Sequence, residues 1–179
     1  MLKTDDTVLI FIDVQGRLHG IMDGKEALDT HLDRMVRGCS LLDIPVIVTE
    51  QIPAKLGSTS EPFRSLLQDA VFIEKTAFSC CGDLQFLARL RTLGRRQTLL
   101  VGIEAHVCVY QTAIDLLEAG YGVTVVADAV ASRSAADRSL ALEAMRDAGA
   151  RVLPAETVLF GLLRDAADPR FKELLKLIK

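Results

Sequence analysis

Three residues of this 179-residue chain have the types and placement for nucleophilic chemistry: Cys108, Asp13 and Lys75. Cys108 lies in Val101-Gly-Ile-Glu-Ala-His-Val-Cys-Val-Tyr-Gln-Thr112, in or near the first turn of a helix expected to start near His106 and end at Gly120. A thiol there faces unpaired backbone N–H groups and the positive end of the helix dipole, and both favour thiolate over thiol. Asp13 immediately follows the apolar run Val8–Ile12, and Lys75 follows Val71–Ile73. Thiol, carboxylate and ammonium make a working set: an attacking atom, a base for its proton and a neighbouring positive charge. Each residue alone has a plainer account. Cysteine is among the most buried residue types and is usually inert; Asp13 could cap a turn, and Lys75 could be a solvated lysine. The chemical reading rests on all three meeting at one edge.

That edge has to be built by the elements between them. Val8–Ile12, Val46–Thr49, Val71–Ile73, Gln97–Val101, Gly122–Ala127 and Arg151–Leu153 are short, mostly apolar runs that read as strands. Helical segments fall between them: about Gly24 to Leu42, Pro62–Gln68, Leu84–Leu93 closed by Gly94, the Cys108 helix, and Ser134–Ala148. Ser134 and Asp137 have capping-box spacing, with Asp in place of the usual Glu. A loop rich in Pro, Gly and Ser spans Ile52–Ser60, and two helical segments finish the chain. Apolar strands alternating with helices predict a three-layer α/β/α sandwich around a roughly six-stranded parallel sheet, Rossmann-like in architecture. No repeat, low-complexity tract or linker divides residues 1–179, so a single domain is expected. Ligands of such sheets bind beyond the carboxyl ends of the strands. Asp13, Lys75 and Cys108 lie there, with Glu50 and Gln51 after the second strand. Asp128 follows the fifth, where it could equally cap a loop.

Composition narrows the partners. Half the residues are apolar but only 5% are aromatic, as a buried sheet of Val, Ile, Leu and Ala flanked by helices requires. The net charge of −3 is spread along the chain, with no basic stripe for nucleic acid or an anionic membrane. The Met-Leu-Lys start runs into an apparent strand without a visible secretory leader. No apolar run approaches the about 18 residues of a membrane span. Cys39, Cys80, Cys81 and Cys108 form neither a disulfide framework nor a zinc spacing, and adjacent Cys80 and Cys81 would bond only under strain. Reduced thiols in a cytoplasmic protein are expected.

Four segments carry a family resemblance: Val8-Leu-Ile-Phe-Ile-Asp-Val-Gln15, Val71-Phe-Ile-Glu-Lys-Thr-Ala-Phe78, Val101-Gly-Ile-Glu-Ala-His-Val-Cys-Val109 and Gly120-Tyr-Gly-Val-Thr-Val-Val-Ala-Asp-Ala-Val-Ala-Ser-Arg133. With them the chain resembles the isochorismatase-like cysteine hydrolases, which include nicotinamidases and N-carbamoylsarcosine amidases. Thr49-Glu-Gln51 and the ending Phe171-Lys-Glu-Leu-Leu-Lys-Leu-Ile-Lys179 are most similar to the small isochorismatase-domain-containing proteins. The resemblance implies an Asp13–Lys75–Cys108 triad. Cys108 would attack a carbonyl carbon, Asp13 would take the thiol proton and later protonate the leaving amine, and Lys75 would keep Asp13 ionised. It also implies a cis Ile103–Glu104 peptide that aims the Glu104 N–H, with that of Cys108, at the developing oxyanion, a donor pair of the kind worth about 2.7–4 kcal/mol per donor.

Departures from the family pattern sharpen the expectation. Metal-dependent nicotinamidases carry an aspartate and several histidines after the second strand, where this chain has Glu50-Gln-Ile-Pro-Ala-Lys-Leu-Gly-Ser-Thr59. His19, His31 and His106 are dispersed, so neither a metal site nor a cofactor is expected; His106 would cap or line the pocket. True isochorismatases lack the nucleophilic cysteine, which turns the reading towards C–N hydrolysis. Substrate-pocket candidates are Gln15, Glu50, Gln51, Phe78, His106 and Tyr110, with Glu50 alternatively paired to an arginine and Phe78 alternatively core. The loop Ile52–Ser60 could close over them. The expected partners are a small-molecule substrate and further copies of the chain, as a dimer or tetramer, because apolar Val158–Leu163 and Phe171–Ile178 could form an interface; they could also simply cover the sheet. The competing readings are an interaction module without turnover and a redox-sensing thiol.

Overall fold

In the computed structural model, which describes residues 1–179, six strands form one sheet: β1 (Thr7–Ile12), β2 (Val46–Gln51), β3 (Val71–Lys75), β4 (Gln97–Ile103), β5 (Gly122–Ala131) and β6 (Arg151–Leu153). Their order is β3-β2-β1-β4-β5-β6, and every neighbouring pair is parallel. Nine α-helices connect or cover them: α1 (Gly16–Gly20), α2 (Lys25–Leu41), α3 (Pro53–Leu56), α4 (Phe63–Leu66), α5 (Leu84–Leu93), α6 (Tyr110–Glu118), α7 (Ala135–Asp147), α8 (Ala155–Leu163) and α9 (Phe171–Ile178).

Alternate residues of β1 explain the three layers. Val8, Ile10 and Ile12 point into a core shared with α5, α6 and α7, while Leu9 and Phe11 point into one shared with α2, α8 and α9. Both faces of the central strand are therefore covered, which is why it reads as a continuous apolar run rather than an alternating one. Val158, Leu159, Leu162, Leu163 and Leu174 are buried in the second core. The apolar C-terminal segments thus cover the sheet.

Strands β2, β3, β4 and β5 run further at their carboxyl ends than their apolar residues suggest. Lys75 is the last residue of β3 rather than the first beyond it, and Glu50 and Gln51 lie inside β2, where Gln51 is in register with Lys75. Backbone pairing continues past the point where side chains become polar. Asp128 likewise sits within β5, and its carboxylate accepts a hydrogen bond from the Ala155 N–H at 2.8 Å, capping the start of α8. The segment Ile52–Ser60 contains the short helix α3, and α1, flanked by glycines, is an element that apolar periodicity did not reveal.

Gly102 sets the spacing at the centre. Its φ of 115° is one that residues with a Cβ rarely adopt, and a Cβ there would overlap the carbonyl oxygen of its register partner Ile12. β4 can follow β1 closely only because this residue is glycine.

Candidate active site

The strand order reverses direction between β1 and β4, and the crevice beyond their carboxyl ends is where such sheets hold ligands. Asp13 is the first residue after β1 and has a positive φ of 52°, a conformation that Asp tolerates better than most side chains. Cys108 lies after β4 in a π-helical turn, Ala105–Val109, that leads into α6. Such turns widen the helix locally and concentrate at functional positions. Lys75 reaches in from β3, two strands away from β1.

These three side chains meet. Lys75 Nζ donates to Asp13 Oδ2 at 2.6 Å, and the ion pair is almost wholly enclosed. The same ammonium donates to Gln51 Oε1 at 2.7 Å and faces the main-chain carbonyls of Phe78 and Ala77 at 3.0 and 3.2 Å. The other Asp13 oxygen accepts from the Thr49 hydroxyl at 2.7 Å, which in turn receives the Cys80 thiol at 3.7 Å. Burial pulls the Lys75 ammonium down, but Asp13, with Cys80 and Cys108, outweighs it and holds the lysine above its ordinary range. Cys108 is 7% exposed, whereas Cys39 and Cys80 are fully enclosed. Of these three buried thiols it is the one that is not fully enclosed.

The charge state of Cys108 departs from the expectation of a ready thiolate. Burial pushes its thiol up to about 12, Asp13 pushes in the same direction as a charge and as a hydrogen-bond acceptor, and Lys75 only partly opposes them. The helix start is outweighed by a dry site and an adjacent carboxylate. Burial and Asp13 together favour the thiol over the thiolate at rest.

Most of the pocket candidates turn inward. Gln15 is fully buried; its Oε1 accepts from the Gln51 N–H at 2.6 Å, and its Nε2 donates to the carbonyls of Gly57 at 2.6 Å and Gln51 at 3.3 Å. Glu50 Oε1 accepts from the Thr59 N–H at 2.6 Å, the Thr59 hydroxyl at 2.7 Å and Arg64 Nη1 at 3.1 Å, so the arginine-paired account holds. Together these bonds fasten the segment Ile52–Ser60 to the sheet. Gln51 spends its amide on Lys75 and on the Thr76 carbonyl. The Phe78 ring is neither core nor enclosed pocket wall: it is 55% exposed, and only its carbonyl touches the triad. The reason is common to the three polar residues. Sequence shows polar residues at an edge, not which backbone groups they must satisfy there.

The remaining candidates lie in the segments that follow β4. The Ile103–Glu104 peptide is cis, and the Glu104 carboxylate accepts from Arg133 Nε at 2.9 Å. His106 Nδ1 lies 2.9 Å from the Ser132 hydroxyl, and His106 and Tyr110 line a cleft of about 230 Å³ against α7. His19 faces Asp29 at 2.6 Å and His31 faces Asp128 at 3.3 Å, so the three histidines occupy separate places. Thr49, Ser132 and Arg133 were not singled out from sequence. Thr49 had one signal, a hydroxyl inside an otherwise apolar strand. A cavity of about 390 Å³ between α2, α4 and α9 is lined by Val36, Leu41 and Leu177 on the other face of the sheet and holds none of these groups.

Residues 7–157 match the model of the isochorismatase domain. The chain belongs to the isochorismatase family. Within that family, isochorismatase domain-containing protein 2 of Danio rerio is 37% identical over 178 residues, covering 99% of this chain and 89% of the relative. A solved structure described as the MAR1 ribonuclease of Caenorhabditis elegans is 37% identical with a TM-score of 0.90, covering 99% of this chain and 91% of its own. The Escherichia coli YcaC product, described as an octameric hydrolase of unknown specificity, has the same fold at 22% identity, with a TM-score of 0.93 and coverage of 99% and 88%. Isochorismatase-family membership thus agrees with the parallel sheet, its strand order and the helices on both sides.

Proposed function

We propose that this isochorismatase-family chain is a cysteine hydrolase, independent of metal, that cleaves a small amide or related C–N bond through a thioester at Cys108. The observation that carries the reading is the enclosed Asp13–Lys75 pair, 2.6 Å apart, whose charges both act on Cys108, a residue that retains 7% exposure. In this reading Asp13 takes the Cys108 proton as sulfur attacks the carbonyl carbon. The main-chain N–H groups of Glu104 and Cys108 receive the developing oxyanion. The tetrahedral adduct collapses, the C–N bond breaks, and Asp13 returns the proton to the departing amine. Water then attacks the thioester, gives a proton to Asp13, and releases the acid; that proton restores the thiol. Lys75 keeps Asp13 ionised between these proton transfers, and because Asp13 loses its charge as sulfur gains one, the enclosed site never holds two unpaired anions.

Metal independence rests on the donor set: the segment Glu50–Thr59 has no histidine, and its Glu50 is occupied by Thr59 and Arg64. The unpaired cysteines support a reducing, cytoplasmic compartment; no helix is long and apolar enough to cross a membrane. We read residues 1–179 as one domain and expect it to act as a homo-oligomer, with exposed Phe78, Leu84 and Leu140 available for contact. Family membership supports hydrolysis over the interaction-module reading.

The test is turnover of a panel of small primary amides, carbamoyl compounds and an RNA oligonucleotide, by wild type and Cys108→Ala. Amide turnover in the wild type, an acyl adduct on Cys108 by mass spectrometry, and a fall of at least about 10³-fold in the variant are expected. RNA cleavage without amide turnover, or amide turnover that survives Cys108→Ala, would sink the proposal.

A further inference from the structure

We infer that Gln51 is a positioning residue for Lys75, holding its ammonium with every proton committed inside the protein. The lysine then acts on Asp13 and Cys108 by charge alone and offers no hydrogen bond to substrate. The inference rests on the triad proposed above and adds to it a division of labour.

The argument is a count of donors and acceptors. An ammonium carries three protons. Around Lys75 Nζ stand Asp13 Oδ2 at 2.6 Å, Gln51 Oε1 at 2.7 Å, and the carbonyls of Phe78 and Ala77 at 3.0 and 3.2 Å. Two protons go to the side-chain oxygens, and the third is shared by the two carbonyls. None remains.

Gln51 can serve as that acceptor only if its amide is oriented. Its Nε2 donates to the Thr76 carbonyl at 2.7 Å, which turns Oε1 towards the lysine. Its backbone is clamped from both sides by Gln15, through Gln51 N–H to Gln15 Oε1 and Gln15 Nε2 to the Gln51 carbonyl. Gln15 is two residues beyond Asp13. The same brace therefore ties the strand ends that carry the base and the cation, so the Asp13–Lys75 distance is set by a cross-link of amides rather than by the ion pair alone. A neutral acceptor is the right one: a second carboxylate at this place would cancel the field that Lys75 exerts on Asp13 and the thiol.

The test needs no substrate. Iodoacetamide labelling of Cys108 is followed by peptide mass spectrometry between pH 7 and 9 for wild type, Gln51→Glu, Gln51→Met and Asp13→Asn, with thermal midpoints measured in parallel. Gln51→Glu keeps an acceptor for Lys75 and adds a charge, so Cys108 should react about tenfold more slowly across the range. Gln51→Met removes the 2.7 Å acceptor and leaves the two longer carbonyl contacts for the remaining two protons, which lowers the lysine, so the rate should match wild type at pH 7 and fall behind it towards pH 9. A merely structural glutamine would lower the midpoint in both variants without these distinct rate profiles, one displaced at every pH and one only towards pH 9, and that result overturns the inference while leaving the triad standing. If Asp13→Asn leaves the Cys108 profile unchanged, the triad and the inference fall together. In the wild type itself, 15N NMR of Lys75 Nζ should show ammonium protons protected from exchange up to pH 9. Rapid exchange at neutral pH would overturn the inference however the variants behave.

Discussion

At the scale of single residues, Asp13 has two opposed effects on Cys108, and they can be separated. As a charge and acceptor it favours the protonated thiol; in the proposed mechanism it is also the base to which that proton goes. Asp13→Asn removes both. The thiol should then ionise more readily, so its alkylation at pH 7.5 should rise several-fold, while amide turnover should fall by about 10²- to 10⁴-fold. Parallel labelling and activity measurements check this, and a fall in both would mean that Asp13 only supports the thiolate. Asp13 and Lys75 were legible as candidates because each is a charged group placed near the end of an apolar run, and Cys108 because it opens the helix that follows one. The residues that hold them were not. Thr49 is hidden within an apolar strand, and Gln15 and Gln51 look like pocket lining because a sequence shows a polar side chain but not the carbonyl it faces. The charge of Cys108 was misread for a related reason: helix position is visible in sequence, and dryness is not.

At the scale of elements, β1 and β4 carry the site and Gly102 lets them approach. Gly102→Ala would place a Cβ on the Ile12 carbonyl oxygen at a φ of 115°. Both strands are backbone-paired there and neither can retreat. A loss of about 3 kcal/mol or more is expected, read as a drop in the urea midpoint, with activity lost in whatever folds. A variant as stable as wild type would show that the seam has slack. Glu50→Ala tests the second strand end. It strips Thr59 and Arg64 of a shared acceptor, so amide hydrogens of residues 55–60 should exchange faster while those of β1 and β4 stay protected; uniform loss of protection would assign Glu50 to global stability instead. The strand cores were predictable from apolar runs. Their carboxyl-terminal extensions were not, because pairing there depends on the neighbouring strand and not on hydrophobicity.

At the scale of the whole molecule, buried titratable groups bound the pH range of stability. Burial pushes Cys39 up to about 12 and Cys80 up to about 11. The unfolded chain releases these protons near pH 9 while the native one keeps them, so stability is full below that and falls as pH rises. Each enclosed thiol should cost about 1 kcal/mol by pH 10. Lys75 fades in the same direction, only above the ordinary lysine range. His19 bounds the acid side: burial holds it below its usual value despite Asp29. An unfolded histidine takes up a proton near pH 6.5 that the native one resists, so stability falls as pH drops through that value. Urea midpoints at pH 5.5, 7.5 and 10 should peak at the middle value; a midpoint still rising at pH 10 would contradict the enclosed thiols.

The layout also separates what can diverge from what cannot. Asp13, Thr49, Gln51 and Lys75 lie in strands or directly at their ends, where neighbours fix the backbone, whereas His106, Ser132 and Arg133 lie in the connections after β4 and β5. A duplicated copy of such a gene could exchange the second group one side chain at a time without disturbing the first. Under the proposed mechanism, with the second group facing substrate, lineages descended from it would drift apart in what they cleave well before they differed in how they cleave it.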